Sequence, residues 1–202
     1  MGESGAEETD AVFALPGSRT CLRPIAERDV DAIMRWINDP EITRNFAAFS
    51  EPVTRPQELV FVNEMRASRN DRLFAVELVD QPGELIGTAG LHRIYWPAKN
   101  GRLGLMIGKR AVQGQGIGQE AMRLLMAYGF ERLGLHKLWL VHYADNARMR
   151  HIAAKLGFVQ EGVLRDEYFH ADVWHDMVRH AILAPEWQAW RAGALGSDAP
   201  AG

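Results

Sequence analysis

One cysteine, Cys21, is too few for an intramolecular disulfide or a cysteine-based zinc site, and it reads as a small core or strand residue. No apolar run approaches the length of a membrane-spanning helix. The first residues, with Glu3, Glu7, Glu8 and Asp10, have neither the basic nor the apolar region of a secretory signal. A soluble, cytoplasmic protein without a membrane partner is expected. An excess of positive charge is also missing. Against 26 aspartates and glutamates stand 23 lysines and arginines, a formal net charge of -3, which removes the electrostatic reason to expect nucleic acid. Residues 1–18 and 191–202 have little worth burying and read as tails. The remaining 19–190 suffice for a single domain with its own core.

What the chain does have is glycine concentrated at one place. Gln113-Gly114-Gln115-Gly116-Ile117-Gly118 lies between a strand-like run, Leu103 to Ile107, and an amphipathic helical run, Gln119 to Leu133. Three glycines within five positions let the backbone take positive φ and bring amide N–H groups together without obstruction by Cβ. Those amides open a helix whose N-terminal end favours negative charge, so a pyrophosphate is the expected guest. Spacing rejects two owners of such a turn. A triphosphate-binding loop needs Lys-Ser/Thr after its last glycine, where this chain has Gln119-Glu120. A dinucleotide fingerprint needs its third glycine where Gln119 stands and an acid about 20 residues later, where the stretch around Leu138 is apolar.

Elsewhere, Ala32, Ile33, Trp36 and Ile37 recur at helical spacing, and Asp39-Pro40 ends that helix because the residue before proline avoids the helical region. Glu58 to Met65 predicts a second helix. Leu73 to Leu78 and Leu85 to Leu91 predict two strands joined by the turn Asp80-Gln81-Pro82-Gly83. After Gly134 come a strand-like run, Leu138 to Val141, and Asp145-Asn146-Ala147-Arg148-Met149 at the head of a helical run to Leu156. Gly157-Phe158 follows, then two closing strands, Glu161 to Arg165 and Trp174 to Val178.

Gln113, Gly116 and Gly118 fit the pattern Gln/Arg-x-x-Gly-x-Gly/Ala. With Asn146, the short helix after it and Leu156-Gly157-Phe158, they resemble the GNAT superfamily of N-acetyltransferases over residues 19 to 184, in the branch of ribosomal-protein N-terminal, amino-sugar and spermidine acetyltransferases. The resemblance implies an α/β (α+β) fold with a mixed, mainly antiparallel sheet, splayed between 103–107 and 138–143 and flanked by helices. It implies acetyl-CoA as cofactor and no metal, with the pyrophosphate held at Gln113, Gly114, Gln115, Gly116, Ile117, Gly118 and Gln119. The pantetheine arm would lie as a pseudo-strand beside Met106, Ile107 and Gly108. Asn146 would meet its amide while also capping the helix, with Met149 and Arg150 alongside. The amine would arrive from the opposite face, near Trp36, Asn38, Glu41 and Tyr168. A homodimer through the closing strands is part of the same expectation.

Acetyl transfer to an amine needs a base for the amine proton and a donor for the oxyanion, and it gains from an acid for the departing thiolate. Here the chain departs from its branch. The tyrosine expected seven positions after Asn146 is Ala153, and the serine expected three positions after it is Met149. With a pKa near 8.5 the thiolate can leave unassisted or take a proton from water, His151 or Tyr143. The strand position that usually carries an acidic base is Arg102, which points to His92, at the end of the Leu85 to Leu91 run, as a proton relay; a solvent-facing loop histidine is the alternative. Glu41 and Glu77 are further candidates, although Glu77 alternates with Val76 and Leu78 and reads as the wet side of a strand. His170, His175 and His180 recur every five residues beside Asp172 and Asp176, an odd spacing that puts strand neighbours on opposite faces and argues against a metal. Trp187 and Trp190 read as a packing cap.

The expected function is acetyl transfer from coenzyme A, in a ternary complex, to the primary amine of an amino sugar, polyamine, antibiotic-like molecule or protein N-terminus. The alternative is a catalytically silent acyl-CoA-binding sensor or partner protein.

Overall fold

A computed structural model describes residues 12–44, 46 and 51–197. Its elements are β1 (Thr20–Pro24), α1 (Val30–Ile37), α2 (Pro40–Thr43), α3 (Arg55–Ala67), β2 (Arg72–Leu78), β3 (Gln81–Tyr95) and β4 (Asn100–Ile107), then α4 (Ile117–Ala127), β5 (Lys137–Tyr143), α5 (Ala147–Lys155), β6 (Val159–His170), β7 (Val173–Leu183) and α6 (Ala184–Ser197). One seven-stranded sheet runs in the order β1-β2-β3-β4-β5-β7-β6. Every neighbouring pair is antiparallel except β4 and β5.

That parallel pair decides where a ligand can enter. Its register holds Asn100 to Lys137, Gly101 to Leu138 and Arg102 to Trp139, and there the pairing stops. Beyond it the strands part, so the sheet is open between 103–107 and 140–143; the implied splay is present but starts two residues later on β5 than the expected 138, because Leu138 and Trp139 still pair with β4.

Strand alternation sorts side chains onto two faces. On one, Leu91, Leu103, Leu138 and Leu140 pack with Ala121, Leu124 and Leu125 of α4, Ala153 and Leu156 of α5, and Trp187 of α6. On the other, Ala75 and Met106 pack with Val30, Ile33, Trp36 and Ile37 of α1 and Val62 of α3. The tryptophan cap is present: Trp187 stacks on Phe130 and Trp190, and the Trp190 indole donates to the Lys155 carbonyl at 3.0 Å. Gly157 has φ +79°, and a Cβ there would stand 2.9 Å from the Trp190 ring, which explains glycine in Leu156-Gly157-Phe158.

Several boundaries move. The chain is already packed at Phe13, which exchanges two backbone hydrogen bonds with Leu22 and meets Tyr128 edge to face, so the described part of 1–18 is not a tail. At the other end α6 runs to Ser197, past the expected boundary at 191. The β2–β3 turn is Val79-Asp80, and β3 begins at Gln81. Register slips around Glu77, Gly83 takes φ +88°, and the Gly83 amide donates to the Glu77 carboxylate at 3.0 Å in place of a ladder bond. Glu77 is therefore not on a wet face. It is buried and pairs with Arg23 at 2.5 Å, while Arg23 also grips Asp29 at 2.6 Å. Cys21 is buried beside them, its thiol pushed up by burial and by Glu77.

Glu58 is the acid whose environment the sequence pattern hides. On α3 it is only 6% exposed, and burial pushes its carboxyl from 4.5 to about 7. A folded value above the unfolded one means that the native state binds the proton more tightly. Stability linked to Glu58 is thus fully present below about 4.5 and is lost as pH rises through 7, by at most about 3 kcal/mol. Glu58→Gln is expected to melt at a higher temperature than the native protein at pH 8 and to lose that advantage near pH 4.5. Equal gains at both values would show that the ionised carboxylate is not the cost.

Candidate active site

The loop between β4 and α4 is built by backbone conformation. Gly114 and Gly116 take φ +79° and +81°, a region that L side chains rarely enter, and Gly116 is the residue on which α4 starts. The first amide to find a helical partner is Glu120 N–H, 3.0 Å from the Gly116 carbonyl. The amides of Ile117, Gly118 and Gln119 therefore face outward at the positive end of the helix. Gly118 differs from the other two. A Cβ there would make ordinary contacts of 3.5 and 3.7 Å with Ile107 and Leu105, so close packing of α4 on β4 accounts for a small residue.

Side chains brace this cradle. Gln113 donates its amide to the Ile107 carbonyl at 2.7 Å and Gln115 to the Ala111 carbonyl at 2.7 Å. Arg19 pairs with Glu120 at 3.1 Å and donates to the Gln115 carbonyl at 3.2 Å, with most of its guanidinium in solvent beside Gly116. Sequence reasoning missed Arg19. It lies 101 residues from Glu120, and no local pattern announces that contact. A cavity of about 630 Å³, lined by Arg19, Asp80, Lys109, Ala111 and Gln115, opens on the hairpin flank of the loop rather than into the gap between β4 and β5.

The gap itself offers unpaired peptide groups. Gly108 N–H donates to the Ile86 carbonyl at 3.0 Å, which fixes the even-numbered residues of β4 as those bonded to β3. Leu105 consequently turns its peptide toward the absent neighbour, as Ile107 does its N–H, the Ile107 carbonyl being taken by Gln113, whereas Met106 spends its own on β3. On the far bank, Asn146 caps α5 and accepts the Met149 amide at 3.0 Å, leaving its NH₂ unspent. Arg150 donates to the Ala144 carbonyl and so closes the loop before α5. These groups suit a ligand with a phosphate end and an amide-bearing arm.

On the α1/α3 face, away from the cradle, the alternation that places Met106 also places Gly104 and Arg102 from β4, His92 from β3, and Trp139, Val141 and Tyr143 from β5. His92 is neither at a strand end nor in a loop, because β3 continues to Tyr95 and pairs His92 with Arg102. Its ring lies over the facing glycines Gly90 and Gly104. A Cβ at Gly90 would come within 2.4 Å of His92 Nε2, a clash, and one at Gly104 within 3.2 Å, a tight contact, so the facing glycines make room for the imidazole. Nδ1 stands 3.4 Å from Asp71, which assigns the proton there and leaves Nε2 as the acceptor. Burial lowers the His92 pKa below 6.5, with Asp71 opposing and Arg102 assisting, so the ring is neutral at neutral pH.

Tyr143 meets Tyr168 edge to face at 6.2 Å and His175 at 4.9 Å. Its hydroxyl is buried and has no hydrogen-bond partner among the described residues, and burial raises its pKa above 10, so it keeps its proton. By the parallel register, Tyr143 lies one residue beyond the level of Leu105. His92 and Tyr143 thus stand on opposite banks of the gap. His175 and His180 fall on opposite faces of β7, the latter stacked on His142.

Other expected site residues are engaged elsewhere. Trp36 is buried against the end of β4, and a Cβ at Gly108 would lie 1.9 Å from its ring; it is core. The Asn38 side chain clamps the Val53 backbone, donating to its carbonyl at 2.9 Å and accepting from its N–H at 2.8 Å, which ties Val53 to the end of α1. Glu41 and Asp39 both grip Arg110, at 2.5 and 2.6 Å, just before the glycine loop, so Glu41 is a strut. Ala153 is fully buried in the α4/α5 core and His151 is exposed on α5, so neither position presents a group to the gap.

A sheet split beside an anion cradle, with a second approach from the opposite face, defines a transferase that takes an acyl group from a coenzyme A thioester. A family model described as an acetyltransferase (GNAT) domain matches residues 19–159, and the chain belongs to that family. Spermidine N(1)-acetyltransferase of Escherichia coli (strain K12) is 30% identical, covering 83% of this chain and 88% of its own. The uncharacterized N-acetyltransferase YoaA of Bacillus subtilis is 28% identical over 85% of this chain and 97% of its own. The spermidine N-acetyltransferase from Vibrio cholerae, solved in complex with CoA and spermine, superposes with a TM-score of 0.78 at 25% identity, covering 84% of this chain and 98% of that one. The protein is an acetyl-CoA-dependent N-acetyltransferase.

Proposed function

We propose that the chain acetylates a primary amine by direct attack within a ternary complex, with His92 as the base and Tyr143 as the acid. The observation that carries this reading is the neutral imidazole over Gly90 and Gly104, facing the end of the gap where the strands close, on the face opposite the cradle. Acetyl-CoA supplies the activated acetyl carbonyl. The cradle at Gln113 to Gln119, with Arg19, takes the phosphates; Ile107 and Asn146 meet the arm; and the Leu105 amide is the oxyanion donor, being the first β4 peptide free on both its N–H and C=O. His92 Nε2 accepts the amine proton through one water, the amine nitrogen bonds the carbonyl carbon, the carbon–sulfur bond breaks, and Tyr143 protonates the thiolate.

Tyr143→Phe tests the acid. With a leaving thiol of pKa near 8.5 the help needed is modest, so kcat is expected to fall about tenfold with little change in acetyl-CoA affinity. An unaltered kcat would remove Tyr143 from the reaction.

The reading as a whole is tested by calorimetric titration of acetyl-CoA, followed by thiol release against peptides, amino sugars and polyamines. Binding with turnover on one class is expected. Binding without turnover on any would leave an acyl-CoA-binding protein, and no binding would overturn the cradle. We further propose that the enzyme works in the cytoplasm, where acetyl-CoA is made, acts on a small amine without nucleic acid or membrane partners, and dimerises through the β6–β7 hairpin. Phe169 and Trp174, 51% and 59% exposed and in mutual ring contact, support the dimer.

A further inference from the structure

The acceptor side of the gap carries a cation, Arg102, that helps hold His92 neutral and has no carboxylate partner among the described residues. Arg102 is the last β4 residue paired with β5, is half-buried, and lies on the same face as His92 and Gly104. Among the described residues no carboxylate or carbonyl bonds its guanidinium. Burial disfavours its charge, and its charged neighbour Arg93 repels it further. A half-buried guanidinium without a protein partner keeps its donors open to an incoming anion.

Among the described residues, the carboxylates nearest this floor are engaged or neutral, and Asp145 lies off it, in the loop beyond Tyr143. Asp71 accepts from Ser68 Oγ at 2.7 Å and the Arg93 amide at 3.1 Å and faces His92 Nδ1. Glu161 binds Lys137 and stands 3.3 Å from Arg179, whose guanidinium lies over the Trp139 ring. Glu58 is buried on α3, in a setting that favours its neutral form. A polyamine needs carboxylates for its remaining ammonium groups. This floor presents guanidinium instead.

We propose that the preferred acceptor is an amine bearing an anionic group, which the Arg102 guanidinium binds while the amine faces His92. Arg102 is then a specificity residue, and the substrate class is anionic amines rather than polyamines. The geometry suits a carboxylate or phosphate, because the planar fork of arginine donates two parallel hydrogen bonds to either. The inference rests on the acetyltransferase reading above, and its test separates the two.

The experiment measures kcat/KM by thiol release for glutamate, a peptide with N-terminal aspartate, glucosamine 6-phosphate, glucosamine and spermidine, with acetyl-CoA affinity determined separately by calorimetry. In the native protein at least one anionic amine is expected to exceed spermidine by about tenfold or more. Which of the three does so identifies the source of the anion. In Arg102→Met the ratio of the best anionic amine to glucosamine is expected to fall about 10- to 100-fold, through KM, with the acetyl-CoA affinity retained. Arg102→Glu is expected to move the preference toward spermidine.

Spermidine as the best acceptor of the native protein would overturn the inference, as would an unmoved ratio in an Arg102→Met protein that binds acetyl-CoA normally. If the variants fail to fold, the ranking of acceptors by the native protein still decides. Failure of the native protein to bind acetyl-CoA would instead sink the cofactor reading, and this inference with it.

Discussion

Gly116→Leu is expected to weaken acetyl-CoA binding by roughly 100-fold or more while leaving the fold intact, because it removes a convergence of amides rather than a core contact. At φ +81° an L side chain costs about 1–2 kcal/mol, which in a domain of this size lowers the melting temperature by about 2–8 °C. The nearest protein atom to a Cβ at Gly116 is Arg19 Nη2, at 3.5 Å, so the new side chain does not collide with the protein. It stands instead beside the Arg19 guanidinium at the mouth of the loop, where the proposed cradle would take the phosphates. Gly118→Ala provides the contrast. Its Cβ would only touch Ile107 and Leu105 at ordinary distances, and binding should weaken far less. Calorimetry on the two variants reads the difference directly. Native affinity in a folded Gly116→Leu protein would mean that the phosphates bind elsewhere.

The glycine loop of the candidate site was legible in the sequence because its information is local. Positive φ needs glycine, and three glycines after a strand and before a helix announce free amides whatever the rest of the chain does. The acceptor half depends on register between distant strands. That His92 lies over a glycine pair follows from β3 running on to Tyr95 and from Gly90 meeting Gly104, and neither follows from the run Leu85 to Leu91. Amphipathic spacing marked Trp36 as part of an apolar stripe but could not say that its ring would fill the space left by Gly108. Asn38 and Glu41 looked available because their partners, Val53 and Arg110, lie 15 and 69 residues away. Glu77 misled for a related reason. Strand alternation gives a side but not which side is dry, and here the pair formed by Arg23 and Asp29 makes the Glu77 side a buried ion cluster.

His92→Ala is expected to lower kcat/KM about 100-fold without changing acetyl-CoA affinity, and the pH profile is the part of the result that a merely structural histidine would not produce. Burial holds the His92 pKa below 6.5, so the native enzyme should lose activity only as pH falls through that lowered value, where Nε2 takes a proton and stops accepting one. Above it the base is already competent, and the profile should be flat until the other groups titrate. Removing the ring removes this acid limb, and the residual rate should climb with pH as more of the amine loses its own proton.

Asp71 sharpens the test. Its carboxylate favours the imidazolium, so Asp71→Asn should shift the acid limb to still lower pH while the enzyme keeps its base. A limb that stays in place in His92→Ala would assign the titration to another group and remove His92 from the chemistry. If instead the limb vanishes in His92→Ala and moves down in Asp71→Asn, its pKa belongs to the imidazole that Gly90 and Gly104 make room for.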